Sequence, residues 1–131
     1  MAQSVLIIED ELTLRQALVM KLQKEGIDVF QAQNGEEGLE MAKTYRPNLV
    51  ILDIIMPKMN GLDVLKGIKS NAGLLNIPVI VLTNLPEESA RKKVEELGGN
   101  EYLIKSNIPI EELTDKIKSY LAQAAESHSN K

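Results

Sequence analysis

Five short aliphatic segments, each followed by a stretch whose apolar residues recur every three or four positions, constrain this chain more than any other feature. They are Val5-Leu6-Ile7-Ile8, Asp28-Val29-Phe30-Gln31-Ala32, Leu49-Val50-Ile51-Leu52, Val79-Ile80-Val81-Leu82 and Glu101-Tyr102-Leu103-Ile104. Strand-like and helical patterns in strict alternation predict a parallel sheet, because parallel neighbours need a long crossover and a helix supplies it. The first, third and fourth segments are wholly apolar, as strands covered on both faces are. The second and fifth mix polar with apolar residues, as edge strands do.

That contrast predicts an α/β fold with strand order 2-1-3-4-5, a doubly wound (βα)5 sandwich of the flavodoxin-like kind. The first helix runs from Glu11 to about Glu25, burying Leu14, Ala17, Leu18 and Leu22, with Gly26 placed to close it. Asn34-Gly35 opens a second, Glu36 to Tyr45, that buries Leu39 and Ala42. Gly38 inside it costs about 1 kcal/mol relative to alanine, and a close helix–sheet contact would account for it. The third follows the loop from Pro57 to Gly61 and carries Leu62, Leu65 and Ile68. The fourth starts at Pro86, buries Ala90, Val94 and Leu97, and ends at Gly98-Gly99-Asn100. The fifth begins near Pro109 and buries Leu113, Ile117 and Leu121. From Ala124 onward periodicity is lost, so residues 1–123 read as one domain and 124–131 as a flexible tail or the start of a linker. His128, the only histidine, reads as solvated tail rather than catalyst.

A length of 131 residues suits one domain with its own core. There are no cysteines, no window approaches the roughly 18 apolar residues of a membrane span, and the chain runs from Met1 straight into a strand. A cytoplasmic location is the expectation. The formal net charge of −4, with both signs interspersed, disfavours direct binding to nucleic acid or to an anionic membrane. One Phe, three Tyr and no Trp leave no platform for stacking bases.

The chemistry-bearing residues share one address. Glu9-Asp10 follow the first strand, Asp53 the third, Thr83 closes the fourth and Lys105 follows the fifth. Parallel strands bring all of these to the carboxyl edge of the sheet, where open α/β folds bind ligands. Each alone has a plainer role: Asp53 as a turn aspartate, Glu9-Asp10 as a helix cap, Thr83 bonding local backbone, Lys105 as a surface lysine. Their joint placement favours function. Three converging carboxylates repel one another, a divalent cation such as Mg2+ relieves this, and Mg2+ keeps room for phosphate oxygens. The set therefore suits phosphoryl transfer onto a carboxylate, with Asp53 as nucleophile, Glu9 and Asp10 holding metal, and Lys105 and Thr83 meeting phosphoryl oxygens.

From about Ser4 to Leu121 the chain resembles a receiver domain of the two-component response-regulator family, of the chemotaxis-regulator type. The matching residues are Glu9-Asp10, Asp53 within Leu-Asp-Ile-Ile-Met-Pro-Lys-Met-Asn-Gly, Val-Leu-Thr at 81–83 and Tyr-Leu-Ile-Lys at 102–105. The resemblance implies a switch. A partner histidine kinase or phosphotransfer protein supplies a phosphoryl group to Asp53, and Mg2+ is held by Glu9, Asp10, Asp53 and the backbone carbonyl of Ile55. Thr83 moves toward the phosphoryl group, Tyr102 rotates inward behind it, and the face of helix four, strand five and helix five changes its affinity for an output partner. Without the resemblance, Tyr102 reads as an edge-strand aromatic covering the sheet. Such a protein is no enzyme beyond its own phosphorylation and slow dephosphorylation, and is a monomer or a phosphorylation-dependent dimer.

Two departures carry expectations of their own. The family often has proline, joined by a cis bond, where Ser106 follows Lys105; a non-proline cis bond costs about 3 kcal/mol, so a trans bond and a different local backbone are expected. Ile55 and Leu85, two places beyond Asp53 and Thr83, are apolar and ill suited to orienting water, which predicts slow hydrolysis of the acyl phosphate. Three other functions compete. A Mg2+-dependent phosphohydrolase would want a second acid where Ile55 stands, a flavin module would want a phosphate-cradling loop after the first strand, and a pseudo-receiver would not need the complete acceptor set.

Overall fold

The computed structural model describes residues 3–56, 58–86 and 88–129, with the backbone alone for 125–129. Its order is β1 (Ser4–Ile8), α1 (Leu12–Lys24), β2 (Asp28–Ala32), α2 (Gly35–Tyr45), β3 (Leu49–Leu52), α3 (Gly61–Lys69), β4 (Val79–Thr83), α4 (Glu88–Glu96), β5 (Glu101–Ile104), a 3-10 turn over Lys105–Asn107, and α5 (Ile110–Ser129). All strand pairs are parallel and the sheet order is β2-β1-β3-β4-β5. Composition foretold this order: every residue of β3 and β4 is buried, whereas edge strands β2 and β5 are partly open.

Alternation along each strand divides the core in two. Val5, Ile7, Leu49, Ile51, Ile80 and Leu82 face α1 and α5, where Leu18, Leu22, Leu113, Ile117 and Leu121 complete one layer. Leu6, Ile8, Val50, Leu52, Val79 and Val81 face α2, α3 and α4, packing on Ala42, Val64, Leu65, Ile68, Ala90 and Val94. Leu14 and Leu39 are only partly buried at the margins of these layers. Val19, outside the sequence-read stripe of α1, is buried as well.

Two glycines let backbones approach. A Cβ on Gly38 would lie 2.6–2.8 Å from the Ile8 side chain, so α2 rests on β1 and the expected helix–sheet contact is present. A Cβ on Gly61 would lie 2.4 Å from the Asp53 carbonyl oxygen and 2.4 Å from Ile54 Cα. The start of α3 is thereby seated on the backbone that carries Asp53.

Helix α5 continues to Ser129, past Ala124, where apolar periodicity ends and the sequence reading places a flexible tail or the start of a linker. Loss of apolar periodicity removes the buried stripe but not the helix, because Ala and Glu are strong helix formers and neither Gly nor Pro interrupts 124–129. Met1, Ala2, Pro57, Glu87, Asn130 and Lys131 lie outside the described residues, as does the side chain of His128. The expectations about the chain start, Pro57, the last two residues and His128 fall there.

Candidate functional site

The site is built by strands that end together. Glu9 N–H donates to the Ala32 carbonyl at 3.0 Å, and Asp53 N–H donates to the Ile8 carbonyl at 3.1 Å, so the ladders run one step past β1 and β3. Continuing the in-and-out alternation, Glu9, Asp53 and Lys105 fall on the α1/α5 side of the sheet edge, in line with Ile7, Ile51 and Leu103. Thr83 and Tyr102 follow the opposite parity, that of Val81 and Ile104, beneath α4. The register pairs Val81 with Tyr102, so Thr83 is the diagonal same-face neighbour of Tyr102.

Glu9 and Asp53 are 3 % and 5 % exposed, and Lys105 draws them together. Its ammonium stands 2.7 Å from Asp53 Oδ2, 2.6 Å from Glu9 Oε1 and 3.5 Å from Glu11 Oε2. The remaining oxygens are held by backbone: Asp53 Oδ1 accepts the Ile55 N–H at 3.0 Å and Glu9 Oε2 accepts the Glu11 N–H at 3.1 Å. Burial pushes the Glu9 carboxyl up to about 7, against the Lys105 hydrogen bond, the Glu11 N–H and the ammonium charge, while the negative charge of Asp53 adds to the rise. Burial alone would lower the pKa of Lys105, but hydrogen bonds and charges from Asp53 and Glu9 outweigh it and the net shift is upward.

One oxygen of every acid in the trio Glu9, Asp10 and Asp53 lies within 4.8 Å of the other two. A six-coordinate Mg2+ takes its oxygens at about 2.1 Å, which separates pairs of ligands by roughly 3–4 Å, so modest side-chain rotations would let the three share one ion. Glu9 Oε1 reinforces the fit. It is buried, and apart from the Lys105 ammonium at 2.6 Å it has no hydrogen-bond partner among the described residues. A buried anionic oxygen in that state is poorly satisfied and suits a hard cation. Asp10 is exposed and forms the outer wall.

Thr83 is fully buried, and its Oγ1 accepts the Leu85 N–H at 3.4 Å. Tyr102 is 7 % exposed and points inward, its hydroxyl donating to the Leu85 carbonyl. It is therefore part of the core beneath α4, rather than the covering aromatic that the strand pattern alone suggests. Arg91 of α4 lies over its ring, 4.8 Å from the centroid, and donates to its carbonyl at 3.4 Å. Ile55 is exposed, and Leu85 is half-buried against the core layer that holds Tyr102. Among the described residues every peptide bond is trans, Lys105–Ser106 included.

Three contributors escaped the sequence reading. Glu11 caps no helix with its side chain and turns it to Lys105; Arg15 Nη1 donates to the Glu9 carbonyl at 2.6 Å; Asn84 Oδ1 accepts the Ser106 N–H at 3.1 Å. Only Asn84 left a signal, as a short amide directly after a strand-end threonine.

Residues 5–118 match the model of the family described as Response regulator receiver domain. The chain is 37% identical over 98% of its length to the probable transcriptional regulator ycf27 of Porphyridium aerugineum, of which it covers 52%. It is 32% identical over 95% of its length to the polar-differentiation response regulator DivK of Brucella anthropi, of which it covers 100%. The chain spans about half the length of most of the curated relatives it resembles, the alkaline phosphatase synthesis regulator PhoP of Bacillus subtilis among them at 50%. Among solved structures, a LuxR-family DNA-binding response regulator from Staphylococcus aureus superposes with a TM-score of 0.81 at 35% identity, covering 90% of this chain and 98% of that one. With the acidic pocket, the lysine and the strand order all in place, the chain belongs to the receiver-domain family of two-component response regulators.

Proposed function

We propose that Asp53 is the phosphoacceptor of a Mg2+-dependent signalling switch, supplied by a histidine kinase or phosphotransfer protein. The observation that carries this reading is a nearly buried Asp53 carboxylate, 2.7 Å from an ammonium and within 4.8 Å of two further acids, at the open edge of the sheet. An Asp53 oxygen attacks phosphorus in line with the leaving group. The new O–P bond forms as the donor's P–N bond breaks, and the electron pair stays on the imidazole nitrogen. Ile55 N–H orients the carboxylate. Lys105 donates to one oxygen of the transferred group and the Thr83 hydroxyl to another, offsetting charge where it develops. Glu9, Asp10, Asp53 and the Ile55 carbonyl would hold Mg2+, which would supply further charge compensation.

The same contacts suggest how the signal leaves. When Thr83 turns its hydroxyl to a phosphoryl oxygen, the Thr83–Leu85 segment moves with it. The Leu85 carbonyl holds the Tyr102 hydroxyl, and Arg91 couples Tyr102 to α4. The α4–β5–α5 face thus has two arrangements biased by one local charge event. The output is read by a partner protein or a linked module on that face, and dimerisation on phosphorylation is one form it can take. Among the described residues no helix is long and apolar enough to cross a membrane, which fits a cytoplasmic setting. Beyond its own phosphorylation and slow dephosphorylation the domain turns over no substrate.

Intact-mass measurement after treatment with acetyl phosphate, with and without Mg2+, tests the reading. One added phosphoryl group that needs Mg2+ and is absent from Asp53→Asn is expected. Equal labelling of the variant, or sustained turnover of the donor in place of a single modification, would overturn it.

A further inference from the structure

Ser106 departs from the proline that the resemblance leads one to expect, and the structure gives the departure a use. Backbone pairing between β4 and β5 ends with Thr83 opposite Ile104. Beyond it the two chains separate, β4 into the loop before α4 and β5 into the 3-10 turn Lys105–Asn107. The first N–H groups of such a turn have no partner within it. Ser106 N–H instead donates to Asn84 Oδ1 at 3.1 Å. A proline at 106 has no N–H to give.

We propose that the Asn84–Ser106 hydrogen bond is a positioning clamp that sets Thr83 and Lys105 as one unit for the phosphoryl group. Asn84 directly follows Thr83, and Ser106 directly follows Lys105. The bond therefore ties the Ser106 backbone to the Asn84 side chain, each next in sequence to a residue whose side chain meets a phosphoryl oxygen, at the point where the ladder no longer joins the two strands. Among the described residues no hydrogen bond or ion pair joins Asn84 or Ser106 to the acids of the metal site. Both are exposed, so the bond adds little to overall stability. Its effect falls on the joint placement of a hydroxyl and an ammonium, which phosphoryl transfer needs and folding does not. Proline would restrain the same backbone covalently; serine with asparagine restrains it by a bond that can open when Thr83 moves.

This inference rests on Asp53 being the phosphoacceptor. In the transfer measured, an Asp53 oxygen bonds to phosphorus while the P–O bond of acetyl phosphate breaks and its electron pair leaves with acetate. The test compares Asn84→Ala, Ser106→Pro and the double variant with wild type at saturating Mg2+. Four quantities are read: the phosphorylation rate, the Mg2+ affinity, the unfolding midpoint, and hydrogen exchange at the Ser106 amide where that amide is present.

Asn84→Ala is expected to slow phosphorylation about three- to tenfold, the factor one net hydrogen bond supplies. It should also deprotect the Ser106 amide and leave Mg2+ affinity and unfolding unchanged. In the Ser106→Pro background the same substitution should cost nothing further. A wild-type rate in Asn84→Ala, a parallel loss of rate, metal affinity and stability, or an equal loss in both backgrounds would each overturn the clamp. If wild type itself takes no phosphoryl group, the functional reading fails and the clamp with it, whereas a labelled wild type with an indifferent Asn84→Ala removes the clamp alone.

Discussion

Substituting Gly61 by alanine tests how Asp53 is held in place. The added Cβ would lie 2.4 Å from the Asp53 carbonyl oxygen and 2.4 Å from Ile54 Cα, about 1 Å inside ordinary contact, and both neighbours are backbone atoms that cannot rotate away. Overpacking of this kind costs about 1–3 kcal/mol. Alanine's better helix propensity returns at most about 1 kcal/mol, and less in a first turn, so the steric term wins and a net loss of about 1–2 kcal/mol is expected. Relief requires α3 or the Asp53 segment to move by several tenths of an ångström, which pulls the carboxylate out of register with Lys105, now 2.7 Å away. Misplacement by about 1 Å can cost two orders of magnitude in rate, so a drop in phosphorylation of tenfold or more should accompany the stability loss. Gly67→Ala, in the same helix, is the control: its Cβ would meet only the flexible end of Leu39, 2.9 Å away. Urea unfolding of both variants and phosphorylation kinetics at saturating Mg2+ provide the assay. The reasoning is refuted if Gly61→Ala is as stable and as fast as Gly67→Ala.

Lys105→Met leaves Glu9 and Asp53 buried without their ammonium; it should be destabilised by about 2–4 kcal/mol in a metal chelator, and Mg2+ should raise its melting temperature more than that of wild type. Equal Mg2+ responses would argue against a shared ion. Ile55→Asn with Leu85→Glu should shorten the phosphoryl half-life several-fold by admitting and orienting water, and an unchanged half-life in a chase assay would remove that explanation of slow hydrolysis. Tyr120 is pushed up to about 12 by burial and by the Glu101 hydrogen bond and charge, so folding favours its protonated form. That contribution is complete below pH 10 and is lost as pH rises from about 10 to about 12. Ultraviolet titration should show a late phenol that Tyr120→Phe removes.

Strand ends carried most of what the sequence revealed. The wholly apolar runs of β1, β3 and β4 could only be central, and once they were central Glu9, Asp10, Asp53, Thr83 and Lys105 had to share an edge. Features made by long or rotatable side chains across that edge were not legible in the same way. Glu11 directly precedes α1 and reads as a helix start, yet its carboxylate crosses to Lys105. Tyr102 alternates like any edge-strand residue, and its burial depends on a carbonyl at Leu85 that no pattern encodes. The length of α5 was missed for another reason: periodicity reports burial, and a helix can outrun the surface it packs on.

The central claim is that one particular carboxylate becomes an acyl phosphate, and chemical trapping addresses it most directly. After brief treatment with acetyl phosphate and Mg2+, hydroxylamine attacks the acyl carbon and leaves a hydroxamate on the residue that carried phosphorus, which peptide sequencing by mass spectrometry then locates. The account predicts a hydroxamate at Asp53 alone, abolished by omitting Mg2+. A hydroxamate at Glu9, Asp10 or Glu11, or none on any peptide, would contradict it.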